Sequence, residues 1–201
     1  MSGKVKLSPT KFTQAVRTPN ATQGACTAQP IATHTSRVFL KYLQLTRVAF
    51  QVVRSFMADS GLEPRLLGKH FRVTSATEGK VDFELDIQKE HTNRLQTIHG
   101  GTLASLVDLG GSLAVASSGR FATGVSTDLN VTYLSPGGRP GDVLKGTATL
   151  DKIGKTLAFT QVTFTNSKGQ LAARGSHTKY VTGTMGEDGP FVAPAEFSDV
   201  D

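Results

Sequence analysis

From Leu95 to Gly119 the chain carries one formally charged side chain, Asp108. Within that stretch Leu103, Leu106, Val107, Gly110, Leu113 and Ala114 recur at helical spacing behind a Gly100-Gly101 pair, which predicts a helix over 100–117. A helix apolar on nearly every side has no face to give to water, so the rest of the chain must wrap it. The flanking segments look suited to that. Upstream, two short runs beyond Pro64 read as strands. In the second, Val81, Phe83, Leu85 and Ile87 alternate with Asp82, Glu84 and Asp86, the period of a half-buried antiparallel strand. Downstream, strands are expected at about 124–135, 142–152, 156–166 and 170–181, separated by turn-like segments at Pro136–Gly141, Lys152–Lys155 and Asn166–Gly169. The fold class this implies is α+β, a long antiparallel sheet around a central helix.

The N-terminal part divides in two. From about 37 to 59, Val38, Leu40, Leu43, Leu45, Val48, Phe50, Val52, Val53 and Phe56 suit one or two turns of amphipathic helix, ending before Gly61. Residues 1–35 show no sustained period. The organisation expected is a disordered or targeting extension at 1–36, a folded domain at 37–182 and an acidic disordered tail at 183–201, within the size of one domain plus tails.

Charge follows the same division. Residues 1–58 hold eight basic side chains and no acid, residues 183–201 hold five acids and no base, and the net charge of +6 therefore leaves the middle at +3. Excess basicity that belongs mainly to the N-terminal end argues against a nucleic-acid-binding core. An acid-free, basic, hydroxyl-rich start resembles an organelle transit peptide and equally suits an untargeted arm, so both a mitochondrial and a cytoplasmic location stay open. A single cysteine, Cys26, excludes internal disulfides and multi-cysteine metal frameworks. No segment approaches the roughly 18 consecutive apolar residues of a membrane span.

Several familiar motifs fail. Gly154-Lys155-Thr156 ends like a phosphate loop, but Thr149 stands where the first glycine belongs, and the segment joins two strands. There is no Gly-x-Ser-x-Gly elbow, and the five histidines lack metal-ligand spacing. Asp108 is the informative residue. A carboxylate on a buried helix costs several kcal/mol unless paired or opened to a cleft, and no Arg or Lys lies three or four residues away. It is either a general base made useful by desolvation or a structural acid tied to backbone or to a distant lysine. His99-Gly100-Gly101 opens the same helix, where free N–H groups and the positive dipole end suit an oxyanion; a tight glycine loop is the plainer alternative. Asn93 is a candidate for holding water or a carbonyl, or a turn former. Ser126 is a candidate cleft residue, or an exposed strand serine.

The run Asn93-Arg94-Leu95-x-Thr97-x-His99-Gly100-Gly101 stands ahead of Leu106-Val107-Asp108. Gly124-Val125-Ser126-x-Asp128-x-Asn130, Tyr133-x-Ser135-Pro136 and Gly154-Lys155-Thr156-Leu157-Ala158-Phe159 follow in order. Together they closely resemble the hotdog-fold acyl-coenzyme A thioesterases, in the subgroup of thioesterase superfamily member 2 (acyl-coenzyme A thioesterase 13) and the phenylacetate-pathway enzymes. The resemblance covers about residues 46–181. It implies a hotdog fold, dimers with a continuous sheet paired into tetramers, and active sites at the dimer interface. It implies hydrolysis of medium- or long-chain fatty acyl-coenzyme A, with no metal and no cofactor beyond the coenzyme A of the substrate.

By the same resemblance Asp108 is the general base or nucleophile and the Gly100 N–H, framed by His99, is the oxyanion donor. Asn93 assists with water or thioester, and Ser126, on a strand from the partner subunit, positions the nucleophile. Substrate contacts are expected at Gly101, Tyr133, Ser135, Pro136 and His177, with Arg139, Lys152, Lys155 and Lys179 holding the coenzyme phosphates at the groove mouth. Gly110-Gly111 departs from the pattern and is expected to loosen the helix. Two other functions compete: a hydratase or dehydratase of acyl thioesters on the same fold, and a non-catalytic acyl-coenzyme A binding module.

Overall fold

In the computed structural model the described residues are 34–186, 189–190 and 193–197. The targeting question falls on residues outside that set. The helices are α1 (His34–Asp59), the single turn α2 (Glu63–Leu66) and α3 (Gly100–Ala116). The strands are β1 (Phe71–Thr77), β2 (Lys80–Asp86), β3 (Val125–Tyr133), β4 (Val143–Ile153), β5 (Leu157–Thr165) and β6 (Leu171–Tyr180). They form one antiparallel sheet in the order β1-β2-β4-β5-β6-β3, with α3 packed along it. This is the helix-wrapped architecture the sequence implied.

α3 holds the core together because nearly every side of it meets an apolar partner. Leu106, Val107, Leu113 and Ala114 are fully buried, against Phe83, Leu144, Val162 and Phe164 from the sheet. Full burial of each large side chain contributes roughly 1.5–3 kcal/mol. Gly110 and Gly111 act opposite to the loosening expected of them. A Cβ on Gly111 would strike the ring of His177 and stand 2.7 Å from Thr160 Oγ1. The pair lets the helix sit down on β5 and β6 just where Asp108 emerges.

Two further expectations change. The apolar stretch near 37–59 is one long helix rather than one or two turns, and its Ala49 and Val52 are buried against the domain. The C-terminal segment is not wholly solvated. Phe197, in a turn at Ala195–Phe197, is buried and stacks on Phe121 with ring centroids 6.3 Å apart. An apolar ring outweighs the acidic composition around it.

β3 is an edge strand, and in the single chain every residue of it except Val131 is exposed, including Val125, Leu129 and Tyr133. An uncovered strand edge with apolar side chains is a template for pairing.

Candidate active site

Asp108 stands two turns into α3, where the helix meets a cleft. The cleft holds about 270 Å³, with Phe56 and Leu109 on its apolar side and Ser112, Ser126, Lys179 and Glu63 among its polar walls. The carboxylate is half exposed there, at 50%, rather than buried as its helix suggested.

Three side chains from the sheet converge on it. Ser126 Oγ donates to Asp108 Oδ1 at 3.0 Å. His177 Nε2 lies 2.9 Å from Ser126 Oγ and 3.3 Å from Asp108 Oδ1. Lys179 Nζ stands 3.9 Å from the same carboxylate oxygen and donates to Ser112 Oγ at 2.9 Å. Strand alternation explains the convergence: Ala173, Gly175, His177 and Lys179 all face inward from β6. A bulge between Ser126 and Asp128 pairs Ser126 with inward-facing Lys179 and Asp128 with Thr178. The bulge thereby turns the serine toward α3.

The proton arrangement follows from counting donors. The single hydroxyl proton of Ser126 points at Asp108, so the contact from His177 to Ser126 Oγ requires a proton on Nε2. In the neutral ring Nδ1 is then bare, and it has no hydrogen-bond partner among the described residues. Burial pushes the imidazole down to about 4, Lys179 pushes the same way, and Asp108, Asp128 and the Val107 carbonyl oppose both. His177 is therefore neutral across the physiological range. Burial also holds the Lys179 ammonium below the usual lysine range, against the pull of Asp108.

The oxyanion candidate lies elsewhere on the same helix. His99 caps α3, its Nδ1 accepting from the Gly101 N–H at 2.8 Å. The Gly100 carbonyl accepts from Tyr133 Oη at 2.9 Å, and a Cβ on Gly100 would stand 3.2 Å from the tyrosine ring. Among the described residues the Gly100 N–H has no acceptor. Asn93 ties up its own loop, Oδ1 accepting from the Leu95 N–H at 2.9 Å and from Thr97. That fixes its amide nitrogen as the end left for a ligand. Gly100 and Asp108 are eight residues apart, about 12 Å along a helix axis.

Several expected contacts therefore move. Ser126 meets Asp108 within one chain, not from a partner's strand. His177, expected to touch substrate, and Lys179, expected at the groove mouth, are buried at 0% and 3% exposure and stand behind the carboxylate. Ser135 Oγ donates to the Leu171 carbonyl and the Pro136 carbonyl accepts from Asn166, both bracing the loop after β3. The basic residues split between the two ends of the sheet. Lys152 and Lys155 are exposed at the β4–β5 turn, which joins the end of β6 through Thr156 and Val181. Arg139 lies at the opposite end, in a cavity of about 500 Å³ with Thr97, Pro136 and Lys168. No group of three or more metal-ligating side chains occurs among the described residues.

Ser112 and Glu63 were not anticipated. Ser112 is legible in hindsight, as the polar residue one helical turn beyond Asp108 on the same face. Glu63, held by Ser60, reaches the cleft only through tertiary packing.

Comparison with known proteins gives a consistent picture. The family model described as thioesterase superfamily matches residues 95–173. Acyl-coenzyme A thioesterase 13 of Homo sapiens is 42% identical over 138 residues, covering 68% of this chain and 96% of its own. The crystal structure of zebra fish thioesterase superfamily member 2 superposes with a TM-score of 0.60 at 41% identity, covering 65% of this chain and 94% of that one. A thioesterase protein of Streptococcus pneumoniae with coenzyme A superposes with a TM-score of 0.52 at 25% identity, covering 56% and 88%.

Proposed function

The chain belongs to the thioesterase superfamily, and from that premise we propose that it hydrolyses acyl-coenzyme A to a free acid and coenzyme A at a site built from two copies of the chain. It is a thioester hydrolase. The observation that carries it is the convergence of Ser126, His177 and Lys179 on a half-exposed Asp108 in a cleft.

In this reading Asp108 accepts a proton from a water that Ser126 helps to orient. The resulting hydroxide attacks the thioester carbonyl carbon. The tetrahedral oxyanion is held by the Gly100 N–H at the positive end of α3, with the Asn93 amide nearby. The intermediate collapses, the C–S bond breaks, and coenzyme A leaves as a thiolate that is then protonated. One carbonyl cannot touch groups about 12 Å apart on one helix, so the oxyanion donor comes from a second copy. The uncovered β3 edge suits an antiparallel pairing that would bring the two halves together, and a dimer of dimers follows the family resemblance. Lys152 and Lys155 are the coenzyme contacts that this end of the sheet offers, while Arg139 belongs to the other end.

Medium- or long-chain acyl groups are the substrate class, with the apolar side chains of Phe56 and Leu109 along the cleft supporting that choice. The acid-free, basic residues 1–35 suit either mitochondrial import or an untargeted cytoplasmic arm; a fluorescent fusion of that segment decides, since one that stays diffuse in the cytosol would refute targeting. The enzymatic test mixes pure protein with long-chain acyl-coenzyme A and a thiol-trapping reagent. Release of thiol in proportion to enzyme supports the reading. Binding without release would make the protein a carrier, and a changed acyl chain on an intact thioester would make it a hydratase.

A further inference from the structure

Lys179 is the most deeply placed charge near the cleft, and the thioester mechanism above gives it nothing to do. Its Nζ donates to Ser112 Oγ at 2.9 Å and lies 3.9 Å from Asp108 Oδ1, at 3% exposure. That spacing is an ion pair across the cleft wall, too long for a direct hydrogen bond. We propose that Lys179 is a positioning residue for Asp108: fixed by Ser112 on the inner wall of the cleft, its ammonium holds the carboxylate oxygen that Ser126 also contacts. The proposal rests on the catalytic reading of Asp108 given above.

The surrounding charges fit that role. Asp108 comes from α3, His177 and Lys179 from β6, Asp128 from β3, and Glu63 reaches the cleft from α2. Lys179 is the one lysine or arginine among them. A buried ammonium is costly to a fold, and because Asp108 is half exposed, water can replace the contact that removing it would free. If stability were its purpose, a methionine would serve. Ser112 supplies a hydrogen bond without discharging it, and Gly111 keeps the histidine close. The positive charge is thus held where it acts on Asp108 and His177 together.

Two measurements test this. Lys179→Met is expected to melt at or above the wild-type temperature while kcat falls roughly 10- to 100-fold with KM little changed. The acid limb of its kcat/KM profile should move to higher pH, because loss of the cation beside His177 lets the imidazole protonate more readily. The second measurement needs no turnover: the imidazole titration of His177, followed by NMR, should shift upward in Lys179→Met. Lys179→Gln, which retains a donor toward Ser112, should behave alike.

An unchanged acid limb together with an unmoved His177 titration would overturn the proposal. So would a change in KM alone, which would return Lys179 to the coenzyme phosphates. Loss of folding in both variants would make Lys179 structural and would overturn it too. The reading of Asp108 fails separately: Asp108→Asn would then retain wild-type turnover. Where that reading holds, adding Lys179→Met to Asp108→Asn should lower kcat no further.

Discussion

The two ends of the working part of α3 are built in contrasting ways. At its start, Gly100 lies at the surface, capped by His99 and braced by Tyr133, with a backbone N–H as its chemical asset. Two turns on, Asp108 is backed by a buried imidazole and a buried ammonium, and its asset is a side-chain charge. Neither end is a complete site. One has a donor with no base, the other a base with no donor, and the helix itself keeps them about 12 Å apart. In the proposed mechanism the unit of function is therefore an interface, with the rigid helix serving two sites at once.

The largest effect should come from the charged end. Asp108→Asn keeps the shape and hydrogen-bonding reach but removes the base, so kcat should fall roughly 100- to 10,000-fold with KM largely kept. Steady-state kinetics and a melting curve on the same sample check this. A variant that melts normally and turns over at the wild-type rate would reduce Asp108 to a structural acid.

The glycine end should respond next. Gly100→Pro deletes the N–H while leaving a residue that suits the first turn of a helix. His99 already has the extended backbone that precedes proline, at φ −72° and ψ 140°. The tyrosine ring must yield a few tenths of an ångström. Loss of one oxyanion donor should lower kcat roughly 100- to 1,000-fold, and unchanged turnover would remove Gly100 from the chemistry.

pH separates the two ends more gently. His177 titrates near 4 when folded, against about 6.5 in the unfolded chain. Its contribution to stability is therefore full above about pH 6.5 and is lost as pH falls toward 4. The loss is at most about 3 kcal/mol. His91 is also lowered by burial, with the Leu66 carbonyl opposing, and works in the same direction. Denaturant melts between pH 7 and 4 should steepen this way in wild type and flatten in His177→Gln. Smallest is the coenzyme contact. Lys155→Glu should raise KM several-fold with kcat nearly kept, and Arg139→Glu, at the other end of the sheet, should do so less. The reverse order would place the coenzyme at the Arg139 end.

Much of this was visible in the amino acids because the signals are local. The apolar run around Asp108 and the alternation of Val81 to Ile87 depend on neighbours in sequence, and both gave their elements within a few residues. Asp108, Gly100 and Ser126 stood out as chemistry without an obvious structural duty. What stayed hidden depends on tertiary placement. The burial of His177 and Lys179 is set by which face of β6 meets α3, and the β3 bulge that turns Ser126 inward has no sequence mark of its own. Gly111 reads as a weak point in a helix, and only the His177 ring above it reveals a packing surface.

The composite site can be tested by mixing two inactive proteins. Asp108→Asn and Gly100→Pro are each expected to be nearly dead alone. After dissociation and random reassociation, half the dimers carry one of each chain. In these, one site combines both defects and the other has neither. The account predicts recovery of about one quarter of wild-type activity at equal mixing, fading as either variant is placed in excess. Mixtures that stay as inactive as their components, while native mass spectrometry shows mixed dimers present, would contradict it and return donor and base to a single chain.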